Sequence, residues 1–443
     1  MNGKKVAFHH FGCKVNFSEA SEISRSFRDK GYVLVDHHEK ADVFVISTCV
    51  VTAMAEKKCR AAIRHAHHLN PTARIAVIGC FSELNATEIR QMEGVTLVLG
   101  NNEKFDLLNI METLPPESEN VSKILIPHSL SSKHTFSADN SHFTSFISTY
   151  SYGDRTRSFL KIQDGCDYFC AYCTIPLARG HSRSDSIDHV IYRIKEIHNL
   201  GVREIVLTGV NIGDFGRNNH ETLYQLLDKL SGMKDIPRIR FSSIEPDLLT
   251  DEIIEKVAAS QTLMPHFHIP LQSGSNRVLG AMKRKYVKEH YQDRVLKIRS
   301  LMPLACIATD VIVGFPGERT RDFDETVSFI ESLPISYMHV FPYSLRRNTM
   351  AAGLVETVTA KEIKNRSIIL HQLSDRKKKD FYRQNLGRTA QVLFESNNND
   401  NQMFGFSENY CKVKTRFSPD LINKVRSVAL DCLESDFLFT ITS

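Results

Sequence analysis

Cys166-Asp167-Tyr168-Phe169-Cys170-Ala171-Tyr172-Cys173 directly follows a β-type run at 159–162. Three thiols fall within eight residues, spaced C-x-x-x-C-x-x-C. A [4Fe–4S] cube normally takes four thiolates. Three local ones leave one iron open to a substrate or cofactor, which points to chemistry rather than electron storage. A zinc knuckle is the alternative, but zinc favours four closed ligands in C-x(2–4)-C pairs, and no fourth Cys or His follows nearby.

Around this loop the chain alternates β runs with helical stretches. Strands are expected at 159–162, 204–208, 238–242, 266–271, 307–313 and 337–343, with helices at 187–200, 222–230, 251–259 and 323–333 between most of them. Six βα-type units predict a partial (β/α)6 barrel with its catalytic mouth at the carboxyl ends of the strands. A smaller alternation precedes it, with strands at 4–8, 43–47, 74–78 and 96–99 and helices near 17–30, 53–69, 83–92 and 104–114. That pattern predicts a parallel α/β domain. Pro115-Pro116 and scattered serines predict a linker with one or two short strands. After a helix near 361–385, five short β pieces at 389–394, 402–406, 410–415, 424–430 and 437–441 predict a small all-β barrel. The expected domains are therefore 1–114, a linker 115–157, 158–384 and 385–443.

Cys13, Cys49 and Cys80 form a second constellation. Each follows its own strand in the N-terminal domain, and in a parallel sheet those ends share one edge, where ligands bind. Gly12 and Gly79 allow close backbone approach. Three thiols could meet there around a second cube; three buried structural cysteines are the plainer alternative.

Composition sets the frame. Of 443 residues, 42% are apolar and 24% charged, so a globular chain of about three domains is expected. No stretch approaches the roughly 18 apolar residues of a membrane span. The apolar piece near the start is too short for a signal peptide. A cytoplasmic location is expected, and the ten cysteines are not expected to form a disulfide framework. Lys and Arg total 56 against 51 Asp and Glu, a net +5 that permits nucleic acid without requiring it.

Basic residues suggest where RNA would dock. Lys57, Arg60, Arg64 and His68 share one helical face, opposite Ala55, Cys59, Ala62, Ala66 and Leu69, so Cys59 reads as core. Residues 361–383 hold eight Lys/Arg against three Asp/Glu. Both can equally be solvated helix faces. Residues 385–443 carry six Lys/Arg and seven Asp/Glu, so RNA binding there would rest on Arg388, Lys412, Lys414 and Arg416 with Tyr410 and Phe417. His65, His67 and His68 read as an exposed helix side, and Cys306, Cys411 and Cys432 as packing residues.

The octapeptide resembles the S-adenosylmethionine-binding signature of radical SAM enzymes. Further motifs resemble the methylthiotransferases of that superfamily. In the N-terminal domain these are Gly12-Cys13-Lys14-Val15-Asn16, Ser47-Thr48-Cys49-Val50-Val51-Thr52 with Ala55-Glu56-Lys57-Lys58, and Gly79-Cys80. In the barrel they are Lys161-Ile162-Gln163-Asp164-Gly165-Cys166, Ile175-Pro176-Leu177-Ala178-Arg179-Gly180, His268-Ile269-Pro270-Leu271-Gln272-Ser273-Gly274-Ser275 and Asp310-Val311-Ile312-Val313-Gly314-Phe315-Pro316-Gly317-Glu318. Gly387-Arg388-Thr389 through Glu408-Asn409-Tyr410 resembles the RNA-binding TRAM barrel. The wording around Cys13 and Cys166 is most like the branch that modifies threonylcarbamoyladenosine in tRNA. The branch acting on isopentenyladenosine usually has Gln-Met where Lys14-Val15 stand.

The resemblance implies two [4Fe–4S] clusters, on Cys166, Cys170 and Cys173 and on Cys13, Cys49 and Cys80, together with S-adenosylmethionine. It implies replacement of the C2–H of a modified adenine, in the anticodon stem-loop of tRNA, by a methylthio group, with an electron donor as a further partner. Barrel position nominates Tyr172, Thr208, Gly209, Ser243, Glu245, Gln272, Ser273, Ile312 and Gly314 as S-adenosylmethionine contacts. Each alone also reads as a loop cap or turn. A monomer is expected. The alternatives are methylthiolation of an aspartate in ribosomal protein S12 or of isopentenyladenosine in tRNA, and a non-catalytic iron–sulfur RNA-binding protein.

Overall fold

Runs such as Val43-Phe44-Val45-Ile46 are apolar on both faces, which suits a strand covered by helices on either side. In the computed structural model this strand, Val43–Thr48, is buried throughout. The structure describes residues 3–114, 124–126, 145–434 and 437–441. They divide into two compact units. One holds the described residues up to Ser151 with Asp164–Ser182 and Ser344–Ala352; the other holds Tyr152–Gln163, Arg183–Tyr343 and the chain from Gly353.

The first unit is built on a six-stranded parallel sheet. Its order is Val33–Val35, Lys5–His10, Val43–Thr48, Arg74–Gly79, Val95–Leu99 and Ile124–Ile126. The strands at 33–35 and 124–126 add to the four expected from the sequence; the rest of the expected linker up to residue 144 lies outside the described residues. Val6, Val45, Ile78 and Leu97 pack on one face with Ile23 and Phe27 of the helix Lys14–Asp29. Phe44, Ile46, Ile75 and Val77 pack on the other with Cys59 and Ile63 of Ala53–Leu69 and Phe81 of Cys80–Arg90. Cys59 is thus a core residue. The chain reverses direction across the sheet between Lys5–His10 and Val43–Thr48. Open α/β sheets bind ligands at the carboxyl ends beside such a reversal. Cys13 follows the first of these two strands and Cys49 the second.

The segment 164–182, assigned from the sequence to residues 158–384, packs with this sheet. So do residues 149–150: Ser18 Oγ lies 3.1 Å from Thr149 Oγ1, and Arg25 donates to the Tyr150 carbonyl at 2.8 Å.

In the second unit Ser158–Lys161, Glu204–Thr208 and Arg238–Phe241 pair in parallel, as do His266–His268, Cys306–Val313 and Tyr337–Pro342. Backbone bonds Ile239 N–H to Thr262 O and Met264 N–H to Ile239 O, both 2.9 Å, link the two sets. The result is a parallel succession of six strands in chain order. Helices Asn276–Ala281 and Lys288–Leu301 were not expected from the sequence.

The C-terminal section forms a six-stranded sheet, antiparallel except where Lys412–Arg416 meets Leu438–Thr440. Cys432–Glu434 is the strand beyond the five expected. Cys306 and Cys411 are buried in the cluster between this sheet and the parallel strands. Cys432 is exposed, which corrects its reading as a packing residue. It sits on a three-residue strand at the edge of the sheet.

An arginine-rich knot holds this sheet to the parallel strands. Glu204 is fully buried and accepts from Arg240 Nε at 2.7 Å and from Arg238. Arg240 also donates to the Glu408 and Ser407 carbonyls at 2.8 and 2.7 Å, and Arg157 binds Glu395 at 3.0 Å. Burial pushes the Glu204 carboxyl up, but Arg240 and Arg238 outweigh it and hold the pKa at about 2. With the folded value below the unfolded one, this stabilisation is present above roughly pH 4.5 and fades as pH falls towards 2. The change E204Q would leave buried guanidiniums without a counter-charge. It is expected to destabilise this unit by about 3–5 kcal/mol, read as an earlier denaturation midpoint with early proteolysis after residue 385. An unchanged midpoint at pH 7 would contradict it.

Candidate active site

Gly165 turns the chain out of the parallel strands with φ +69°, a conformation favouring glycine. A Cβ there would lie 1.9 Å from the His181 carbonyl oxygen. The Cys166 N–H donates to the Gly180 carbonyl at 3.0 Å, closing the loop into a ring of chain from 165 to 181. Within it the Cys173 N–H donates to the Cys170 carbonyl at 3.0 Å, closing a tight turn over residues 170–173. The Tyr168 N–H points at Cys166 Sγ at 3.3 Å, and the Ile175 N–H at Cys173 Sγ at 3.5 Å. Such donors favour the thiolate. Cys170 is buried; Cys166 and Cys173 are half-buried.

The other thiols lie in the same unit. Gly12, at φ +107°, comes so close to Cys49 that a Cβ would sit 3.2 Å from its Sγ. Asn16 fastens the turn leading into Cys13 by donating to the Phe11 and Thr48 carbonyls at 3.1 and 2.8 Å. Burial pushes the Cys49 thiol up to about 12, and Cys80 and Cys13 add to the rise, as neighbouring thiolates would. Burial raises Cys80 too, against the pull of Arg179 and Lys104.

Arg179 is the residue that the sequence quoted only as a motif letter. It is buried, and its five N–H donors meet five acceptors. Nε donates to Cys80 Sγ at 3.2 Å. Nη1 reaches Asp164 at 2.8 Å and Glu19 at 3.2 Å; Nη2 reaches Glu19 at 2.9 Å and Asn16 at 2.7 Å. Lys104, also buried, donates to Glu19 at 2.5 Å and Asn101 at 2.9 Å, and Asn101 donates to the Ala178 carbonyl at 2.7 Å. Cys80 and the loop bearing Cys166 are thus tied together through one side chain.

The nominated strand-end residues of the second unit are distributed as follows. The Thr208 carbonyl accepts from the Ile162 N–H at 2.9 Å, and Gly209 lies against Gln163. Ser243, Gln272 and Ile312 are half-buried. The Gln272 N–H donates to the Asp310 carbonyl at 2.8 Å and its carbonyl accepts from the Ile312 N–H at 2.9 Å, fixing its backbone at φ +65°. Glu245 pairs with Arg284, yet burial outweighs that partner and raises its pKa to about 7. The Gly314 N–H donates to Glu318 at 2.7 Å. Ser273 is fully buried and its hydroxyl meets Thr326 Oγ1 at 3.2 Å, which braces its loop against the helix Thr320–Ser332. Tyr172, in the first unit, is half-buried. His268, Asp310 and His339 also converge, with His268 Nε2 2.9 Å from Asp310 Oδ1 and the three ligand atoms within 4.8 Å. The sequence offered no sign of that group, because the residues come from three different strands.

Several basic residues nominated for RNA are occupied. Arg60 pairs with Glu88 at 2.8 Å, Arg388 with Glu408, and Lys414 with Glu434 at 2.8 Å. Arg366, in the helix Ala360–Gln384, is buried on Glu318 at 2.7 Å. Tyr410 stacks between Phe406 at 4.8 Å and His266 at 4.5 Å. It lines a groove of about 560 Å³ with Tyr337, Phe341, Lys378 and Lys412.

Residues 5–100 match the family described as Uncharacterized protein family UPF0004, and residues 160–330 match the Radical SAM superfamily. The threonylcarbamoyladenosine tRNA methylthiotransferase of Aquifex aeolicus is 36% identical over 93% of this chain and 96% of its own. That of Bacillus subtilis is 37% identical over 96% of this chain and 93% of its own. This chain belongs to the threonylcarbamoyladenosine tRNA methylthiotransferase family. The tRNA-2-methylthio-N(6)-dimethylallyladenosine synthase of Clostridium botulinum is 30% identical over 89% of this chain and 87% of its own. Among solved structures, the radical S-adenosylmethionine methyltransferase TsrM of Kitasatospora setae aligns with a TM-score of 0.57 over 79% of this chain and 77% of its own, at 14% identity, a likeness of fold alone.

As a member of this family the chain is a radical SAM transferase that uses S-adenosylmethionine and a [4Fe–4S] cluster. The Cys166 loop fits that cluster: three thiols within one loop closed by the Cys166–Gly180 backbone bond, with backbone N–H groups aimed at two of them. No helix is long and apolar enough to cross a membrane among the described residues.

Proposed function

We propose that this enzyme places a methylthio group on carbon 2 of N6-threonylcarbamoyladenosine beside the anticodon of tRNA. What supports the reading is that both sets of cysteines belong to one compact unit, in which Arg179 of the Cys166 loop donates to Cys80. Cys166, Cys170 and Cys173 would hold one [4Fe–4S] cluster, and Cys13, Cys49 and Cys80 an auxiliary one. With S-adenosylmethionine bound, such clusters supply the electron for radical generation and a site for the incoming sulfur.

The chain's own residues position these groups. Arg179 orients Cys80, and the Gly165 turn presents the Cys166 loop. Tyr172, Thr208, Gly209, Ser243, Gln272, Ser273, Ile312 and Gly314 remain the residues we assign to S-adenosylmethionine. Glu245, poised near neutral pH, offers an acceptor for its ammonium or ribose hydroxyls. We assign residues 385–443 as a TRAM-type RNA-binding barrel. The tRNA anticodon stem-loop and an electron donor are the partners of this reading.

The test is an anaerobic reaction of the reconstituted full chain with S-adenosylmethionine, reductant and tRNA. Expected are about eight irons per chain, 5′-deoxyadenosine, and a methylthio mark on threonylcarbamoyladenosine in digested tRNA. A mark on isopentenyladenosine or on ribosomal protein S12 would redirect the substrate. Eight irons without 5′-deoxyadenosine would leave a binding protein.

A further inference from the structure

The first unit contains a cavity of about 790 Å³ whose wall includes Val50 and Thr174, the residues directly after Cys49 and Cys173. One residue of its wall therefore adjoins a cysteine of each group along the chain. Three guanidiniums and two carboxylates line it. Arg60 binds Glu88 at 2.8 Å and approaches Glu56 at 3.6 Å, and the buried Arg346 binds Glu56. These pairs neutralise each other. Arg347 also lines the cavity but makes no ion pair among the described residues, and it is exposed. The wall thus carries one uncompensated positive charge. Beside it Val51, Met54 and Leu345 stand 55%, 60% and 64% exposed, an apolar rim rarely left uncovered without a purpose.

An apolar rim with a single spare guanidinium suits a flat heterocycle bearing a carboxylate. Guanidinium and carboxylate match in a two-pronged hydrogen-bonded pair. We propose that this cavity receives the modified base and that Arg347 reads the carboxylate of its threonylcarbamoyl group. The inference rests on the substrate proposed above. It gives that substrate a specificity-determining residue, since an isopentenyl group has no charge to offer. A backbone phosphate of the RNA would be attracted by the same cation, so the two anions must be told apart.

The experiment compares anticodon stem-loops carrying threonylcarbamoyladenosine, its neutral threonine-amide analogue, or plain adenosine. Binding to the reconstituted full chain is followed by fluorescence anisotropy for wild type, R347A and R347K. Wild type should prefer the carboxylate over the amide on the order of tenfold, the worth of a charge-assisted pair. R347A should abolish that preference and leave the affinity for plain adenosine within about twofold, whereas R347K should keep part of it. A preference surviving in R347A overturns the proposal. Equal weakening of all three RNAs with a shallower salt dependence assigns Arg347 to phosphate and also overturns it. Turnover separates the two levels. If wild type marks threonylcarbamoyladenosine and R347A does so with unchanged KM, only the Arg347 assignment fails. If wild type marks a different nucleoside, the proposed substrate itself fails.

Discussion

R179M is expected to lose the tie between Cys80 and the Cys166 loop and to destabilise the first unit by about 3–5 kcal/mol. The methionine fills similar space but donates nothing. Glu19 and Asp164, both buried, then lose the guanidinium they share, while Lys104 still reaches Glu19. Removing one partner of a buried charge network costs far more than the network's net worth, because the other charges stay desolvated. R179K should recover only part of the loss. Its three N–H groups cannot serve five acceptors spread over Cys80, Asp164, Glu19 and Asn16. Denaturant midpoints of the metal-free chains read the stability directly, and iron content after reconstitution reads the positioning of Cys80. A variant with wild-type midpoint and full iron would remove Arg179 from the account.

C49A is expected to divide the chemistry. Cys49 is buried beside Cys13 and Cys80, so the variant should retain about four irons of eight. Production of 5′-deoxyadenosine should persist, because the Cys166 loop is untouched, while the methylthio product disappears. The alanine is smaller by one atom in a closed site, so the fold should lose no more than a small cavity cost, on the order of 1 kcal/mol. C170A is the counterpart: the four irons of the other group should remain and 5′-deoxyadenosine should vanish. Both variants can be read by iron analysis and by product assay in one preparation. Should C49A keep eight irons, Cys13, Cys49 and Cys80 would be structural thiols after all.

The legible parts of this protein were those written in short stretches of sequence. The C-x-x-x-C-x-x-C loop announces itself because its ligands are neighbours. The strand at 43–48 was readable because its first four residues, Val43 to Ile46, are all apolar, and Cys59 because its helix has one apolar stripe. What stayed hidden depends on long-range pairing. Arg179 and Cys80 are 99 positions apart, and nothing around either hints at the other. Glu19 and Lys104 look like ordinary helix-surface charges until the fold buries them together. The helix at 288–301 buries only Tyr291, Val295 and Ile298 amid charged neighbours, too thin a stripe to register. Ser273 carries a tie of the same hidden kind, its hydroxyl meeting that of Thr326 on a helix more than fifty residues later.

The course of the chain through the first unit constrains how such a protein can be divided. The chain leaves after Ser151, returns for Asp164–Ser182 and returns once more for Ser344–Ala352. A fragment ending at residue 157 would keep Cys13, Cys49 and Cys80 but forfeit Arg179, leaving Glu19 and Lys104 sealed in with their shell incomplete. A cut anywhere between residues 151 and 164 thus parts the two groups of cysteines from each other, and Cys80 from the side chain that ties it to the Cys166 loop.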